Sequence, residues 1–232
     1  NILHPTGLVF KPGAFDIGAG TQNGIYVKKI DIHNNFMSPA LSTVASQGTN
    51  WMVAGIKLNA PISGPAWQTT TSTGISIYNN EIDRSLQGIL LVGTKHNFTK
   101  IYNNTISLVD NDQLNPGYST WQPAIFIASS QSVSAYSNTL SSNTSTNIYV
   151  SLVHTGFSSS SNIYCNKTTG GWRGFLFEGP NNFTRWKGNL MQSQRWGLTL
   201  FAGGIIGPQG SSNSPSDNQW LGSWTGGNLN TY

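Results

Sequence analysis

Ile75-Ser76-Ile77-Tyr78-Asn79-Asn80-Glu81-Ile82 alternates apolar and polar residues, meets a pair of asparagines, and resumes on an apolar residue. The phrase also reads Ile30-Asp31-Ile32-His33-Asn34-Asn35-Phe36-Met37 and Thr99-Lys100-Ile101-Tyr102-Asn103-Asn104-Thr105-Ile106. Weaker copies occupy 133–140, 161–168 and 184–191, and a seventh, 54–59, fits only the first half. Aligned on the asparagine, the copies place Asn35, Asn59, Asn80, Asn104, Asn138, Asn166 and Asn189 at intervals of 24, 21, 24, 34, 28 and 23 residues. Self-similarity at this period marks a repeat architecture, and alternation with period two predicts short strands.

Each unit carries a second apolar segment. The clear cases are Gly88-Ile89-Leu90-Leu91-Val92, Gly174-Phe175-Leu176-Phe177-Glu178 and Gly197-Leu198-Thr199-Leu200-Phe201, with 124–127 and 147–150 matching after small insertions. The long interval before Asn138 contains the turn-rich excursion 110–118. Two strands per unit of about 24 residues, repeated about seven times, describe a solenoid coil. Asparagine suits the turn because it tolerates left-handed backbone angles, and stacked asparagines can hydrogen-bond their amides along the stack.

Composition agrees with an all-β chain. Of 232 residues only 9% are charged, against roughly 25% in average soluble domains, and Ser, Thr and Asn fill the place of Lys and Glu. That excludes a charge-rich disordered chain. One cysteine excludes a disulfide framework, and no apolar run is long enough for a membrane span. The formal charge is +4 with no Lys/Arg run, so no nucleic-acid partner is expected. Low charge, abundant Ser/Thr/Asn and the lone Cys165 point to a secreted or cell-surface location. The first residues contain no signal peptide, which is read as a mature product or an excised piece.

Over roughly 24–203 the repeat resembles the right-handed parallel β-helix family, the pectin-lyase-like fold. The resemblance implies an all-β, right-handed parallel β-helix solenoid of about seven rungs over 1–204. The tail 205–232, rich in Gly, Ser and Asn, is expected to form an irregular C-terminal cap, or a linker to a missing part, with Trp220 and Trp224 as lids. Within it, Ile206-Gly207-Pro208-Gln209-Gly210 and Asp217-Asn218-Gln219-Trp220 resemble a segment of secreted Bacteroidota proteins exported by type IX secretion. Adjoining domains of a longer precursor are implied.

Strand parity sorts the faces. Ile32, Ile56, Ile77, Ile101, Ile163 and Trp186 are expected inward, with Ile30, Ile75 and Val133 beside them, and Cys165 buried at the turn. The outward column reads His33, Lys57, Tyr78, Tyr102, Tyr136, Tyr164, Lys187, and its neighbour Asp31, Gly55, Ser76, Lys100, Ser134, Asn162, Arg185. An aromatic stripe with basic flanks suits sugar rings and acidic groups, although tyrosine also simply suits a strand and stacks on itself. Tyr78, Tyr102, Tyr136, Tyr164, Lys100, Arg185 and Lys187 are therefore the ligand-binding candidates, and a polysaccharide or cell-surface partner is the expected one. On the second segment Leu90, Phe126, Tyr149, Leu176 and Phe201 take the outward parity and require cover. Trp172-Arg173 and Arg195-Trp196 lie one unit apart, placed to cap the coil or hold a ligand.

Catalytic residues are not legible. Hydrolases of the resembled family use several aspartates on adjoining rungs with a Gly-His-Gly motif, and this chain has no Gly-His-Gly and no paired aspartates on a strand. Hydrolysis of a glycosidic bond needs two flanking carboxylates, and the acids here are scattered. Asp110-Asn111-Asp112 is the one cluster, a weak calcium candidate that also reads as a turn. The expectation is a non-catalytic structural, adhesive or carbohydrate-binding module of a larger bacterial protein, without a cofactor unless calcium binds. The alternatives are a polysaccharide lyase or glycoside hydrolase acting on acidic polysaccharide, and a passenger domain of a type IX secretion cargo.

Overall fold

In the computed structural model, residues 15–17, 30–38, 52–59, 74–92, 97–109, 122–128, 130–143, 149–155 and 160–222 are described. Among them the chain is all-β, with no helix. Thirteen strands form one large sheet that curls on itself, and six form a second. Every strand pair is parallel except a two-residue hairpin ladder, Gly210–Ser211 with Ser214–Pro215. This is a parallel β-solenoid-like architecture, compatible with the expected β-helix.

The six-stranded sheet stacks Ile30–His33, Ile75–Tyr78, Lys100–Tyr102, Ser134–Tyr136, Asn162–Tyr164 and Arg185–Lys187. Pairing is in register throughout, so Ile32, Ile77, Ile101, Ala135, Ile163 and Trp186 form one inward column. All six are buried. On the large sheet Ile89, Ile125, Leu152, Phe175 and Leu198 form the facing column of the same core.

A row of asparagines joins the tiers. Asn80 donates its backbone N–H and its Nδ2 to Asn104 Oδ1, at 3.1 and 2.9 Å, and a second Nδ2 hydrogen goes to the Ile32 carbonyl at 3.0 Å. The same pattern links Asn35 to Asn80, Asn104 to Asn138, Asn138 to Asn166, Asn166 to Asn189, and Asn189 to Asn218. These side chains leave water with their donors satisfied, as buried amides must. The left-handed angle belongs to the residue before each: Asn34, Asn79, Asn103, Ser137, Cys165, Gly188 and Asp217 all have φ between 52° and 62°. The turn reading is thus corrected by one residue, and with it Cys165. Strand parity does not carry through a left-handed turn, so the Cys165 thiol is exposed, not buried.

A second correction concerns 54–59. Ile56 pairs with Ile89, and Lys57 with Leu90, within the large sheet. Asn35 bonds directly to Asn80, which leaves no step for Asn59 between them. Ile56 remains a buried core residue, but it belongs to the opposite wall.

The outer row of the large sheet is Leu90, Phe126, Val153 and Leu176, in register. Val153, not Tyr149, takes the third place, because Tyr149 pairs with Gln122. Val153 and Leu176 are fully buried and pack with Val150 and Phe126, so this row is covered as expected. Phe201 sits beside Glu178 and is 45% exposed. The glycines opening these strands fit a close approach between tiers: a Cβ at Gly174 would lie 2.7 Å from the Gly197 carbonyl oxygen.

Candidate functional site

The outward face of the six-stranded sheet carries a ladder of rings. His33 and Tyr78 stack with centroids 4.8 Å apart, Tyr78 and Tyr102 at 4.9 Å, Tyr102 and Tyr136 at 5.0 Å, and Tyr136 and Tyr164 at 4.8 Å. The planes are parallel within 9°. The strand spacing of about 4.8 Å sets this repeat, and identical residues in register keep one rotamer from tier to tier. Lys187 follows Tyr164 in the column.

This geometry fixes what the tyrosines present. Each interior ring face lies against another ring, and the gap leaves no room for a third ring. The solvent-facing parts are the ring edges and the phenol hydroxyls. Burial pushes the Tyr102, Tyr136 and Tyr164 hydroxyls above their ordinary titration range of about 10, with neighbouring phenols adding to it at Tyr102 and Tyr136 and Cys165 at Tyr164. These three therefore present neutral donor–acceptor hydroxyls at neutral pH.

The adjacent outward column is Asp31, Ser76, Lys100, Ser134, Asn162 and Arg185. Lys100, Arg185 and Lys187 are exposed. Among the described residues the one ion pair joins Arg84 to Asp83, at 3.2 Å, so none of these three cations is paired. The structure thus gathers all seven candidates on one face: four tyrosines and Lys187 in one column, Lys100 and Arg185 in the next. Lys57 and Gly55 leave it, because their strand, Met52–Asn59, lies in the large sheet. The charge is polar along the axis, with Asp31 at one end and Arg185 and Lys187 at the other.

Arg195 stacks its guanidinium over Trp172 at 4.0 Å, with Trp196 at 5.9 Å. Its planar cation occupies the ring face a ligand would need. The calcium candidates Asp110 and Asp112 lie outside the described residues. Among the described residues no three His, Cys, Asp or Glu side chains are grouped to hold a metal ion.

Two features escaped the sequence reading. His154 points into the core, fully buried, with Phe177 as its register partner and ring neighbour at 6.0 Å. Burial pushes its imidazole down to about 4, against a weaker opposing influence of the Asn181 side chain. Neither ring nitrogen has a partner within hydrogen-bond geometry, so the contact with Asn181 is a loose one. Only a strand whose inward row is otherwise apolar could have flagged this histidine. Gln209 was legible only as part of the segment 206–210, and its role emerges from the backbone of the last tier.

Comparison with protein-family models, curated proteins and solved structures finds no match. Any functional reading therefore rests on the geometry of this face.

Proposed function

We propose that the chain is a right-handed parallel β-helix of about seven rungs with a C-terminal cap, working as a non-catalytic, secreted or cell-surface module that binds carbohydrate. The observation that carries this reading is the in-register ladder His33, Tyr78, Tyr102, Tyr136, Tyr164 with unpaired cations beside it. Hydroxyl rows and exposed guanidinium and ammonium groups suit a glycan rich in hydroxyls and carrying carboxylate or sulfate. Because the interior ring faces are occupied, contact is made through tyrosine edges and not by stacking of sugar on ring.

The test is binding of the native protein to a panel of neutral and acidic polysaccharides, with release of unsaturated products or new reducing ends followed in parallel. Binding to acidic members is expected, with a loss of about tenfold or more when Tyr102→Ala and Tyr136→Ala are combined. Binding unchanged in the double variant removes the ladder from the reading. Turnover replaces it with a lyase or hydrolase.

A further inference from the structure

The segment Ile206-Gly207-Pro208-Gln209-Gly210, singled out by its sequence, meets the last strand of the six-stranded sheet, Arg185–Lys187. Arg185 and Lys187 spend their backbone groups on the preceding tier: Arg185 N–H donates to the Ser161 carbonyl, and the Lys187 carbonyl accepts from Cys165 N–H. The alternate residues, Thr184, Trp186 and Gly188, therefore face the end of the stack. Such a row of N–H and C=O groups is a template for another strand.

Here four of those groups, the Thr184 carbonyl, both Trp186 groups and the Gly188 N–H, meet partners from 209–218. Gln209 Nε2 donates to the Thr184 carbonyl at 3.0 Å, and Gln209 Oε1 accepts from Trp186 N–H at 2.7 Å. That is the pair of bonds the N–H and C=O of one residue of a following parallel strand would make, supplied by a side-chain amide. Asn218 Nδ2 donates to the Trp186 carbonyl at 2.8 Å, and the Ser216 carbonyl accepts from Gly188 N–H at 2.6 Å. Gln209 is held by its own neighbourhood: Nε2 also donates to the Gly207 carbonyl at 2.6 Å. Gly207 packs so closely on the Asn182 carbonyl that any Cβ there would collide with it, and Gly210 has φ 94°. Trp220 lies edge-on to Trp186 at 5.9 Å and closes the core beneath.

We propose that 207–218 is a built-in stop for strand addition, with Gln209 as its plug, and that the surface it closes is one that fits the sheet edge of a second copy of this chain. The identical register of the tiers makes that edge self-complementary in spacing. A side-chain amide ends the ladder without offering a new strand behind it.

Gln209→Ala is expected to keep its β circular dichroism and to form larger species that grow with protein concentration in size-exclusion chromatography with light scattering. Gln209→Lys loses the same bonds but sets a charge at the edge, and is expected to keep the size of the native chain. Gln209→Ala at native size over a hundredfold concentration range overturns the proposal, as does equal association of Gln209→Lys. In the native chain itself, the Trp186 and Gly188 amides are expected to exchange with solvent as slowly as those of Asn162–Tyr164. Exchange at the rate of an open edge overturns the plug even where the variants fail to fold.

Discussion

Asn103 and Asn104 are the same residue one position apart, and they do opposite work. Asn103 holds φ 55° and is exposed, while Asn104 is buried and makes the ladder bonds. Replacing Asn104 by Ala strips the acceptor from the Asn80 N–H and Nδ2 and the donor from the Ile77 carbonyl. With about 1–3 kcal/mol for each buried group left unpaired, Asn104→Ala should cost roughly 3 kcal/mol or more in urea unfolding. Asn103→Gly keeps the left-handed angle and should change stability by less than about 1 kcal/mol. Cys165 occupies the same left-handed slot with a side chain poorly suited to it, so Cys165→Asn should stabilise by roughly 0.5–1 kcal/mol in the same assay. The sequence phrase made the asparagine pair visible, but periodicity aligns both members equally and cannot say which one turns and which one bonds.

His154 adds a pH dependence at this scale. Its imidazole is neutral when folded and takes a proton at about pH 4, whereas the unfolded chain takes one near 6.5. The unfolded state thus binds more protons between these values. The contribution is full above pH 6.5 and is lost as pH falls, by up to ~1.4 kcal/mol per pH unit, until about pH 4. Unfolding curves from pH 7.5 to 4 should show this slope, and His154→Phe should flatten it. An equal slope in the variant places the acid sensitivity elsewhere.

At the scale of the strand, register is what turns a tyrosine-rich sequence into a ladder. The columns were legible because alternation fixes parity and Tyr78, Tyr102, Tyr136 and Tyr164 stand at the same offset from their asparagines. The slip at 54–59 has a physical cause: both walls of the coil use apolar-x-apolar strands, and only the bonded asparagine tells them apart. Val153 was likewise missed because the strand Tyr149–Thr155 is apolar on both faces, which erases parity. The coupled phenols carry a prediction of their own. Ultraviolet titration should find Tyr102 and Tyr136 ionising above pH 10, and Tyr136→Phe should lower the titration of Tyr102, whose phenolate the Tyr136 and Tyr78 phenolates repel. Titration of all tyrosines at the free-phenol value contradicts the stack.

At the scale of the molecule, the low charge becomes intelligible. Among the described register pairs no two like-charged residues are partners: Lys100 lies between Ser76 and Ser134, Lys167 between Thr139 and Leu190, and Arg185 beside Asn162. Tiers about 4.8 Å apart penalise stacked like charges, so uncharged Ser, Thr and Asn fill the columns. The repeat made this architecture readable, whereas the end of the stack was not. Gln209 closes the last strand through bonds to residues 23 and 25 positions away, contacts that no local pattern encodes.

The core, the asparagine row and the tyrosine ladder all depend on tiers stacking in register across insertions of unequal length, and a chemical cross-link measures that register. In a Cys165→Ser background, Tyr102→Cys with Tyr136→Cys places two thiols on register partners, within disulfide reach at the spacing of about 4.8 Å. Tyr78→Cys with Tyr136→Cys places them two tiers apart, beyond the roughly 7 Å limit. Mild oxidation followed by mass spectrometry should find an intramolecular disulfide in the first variant and free thiols in the second. A disulfide in the second, or none in the first, contradicts the register and the proposed binding face built on it.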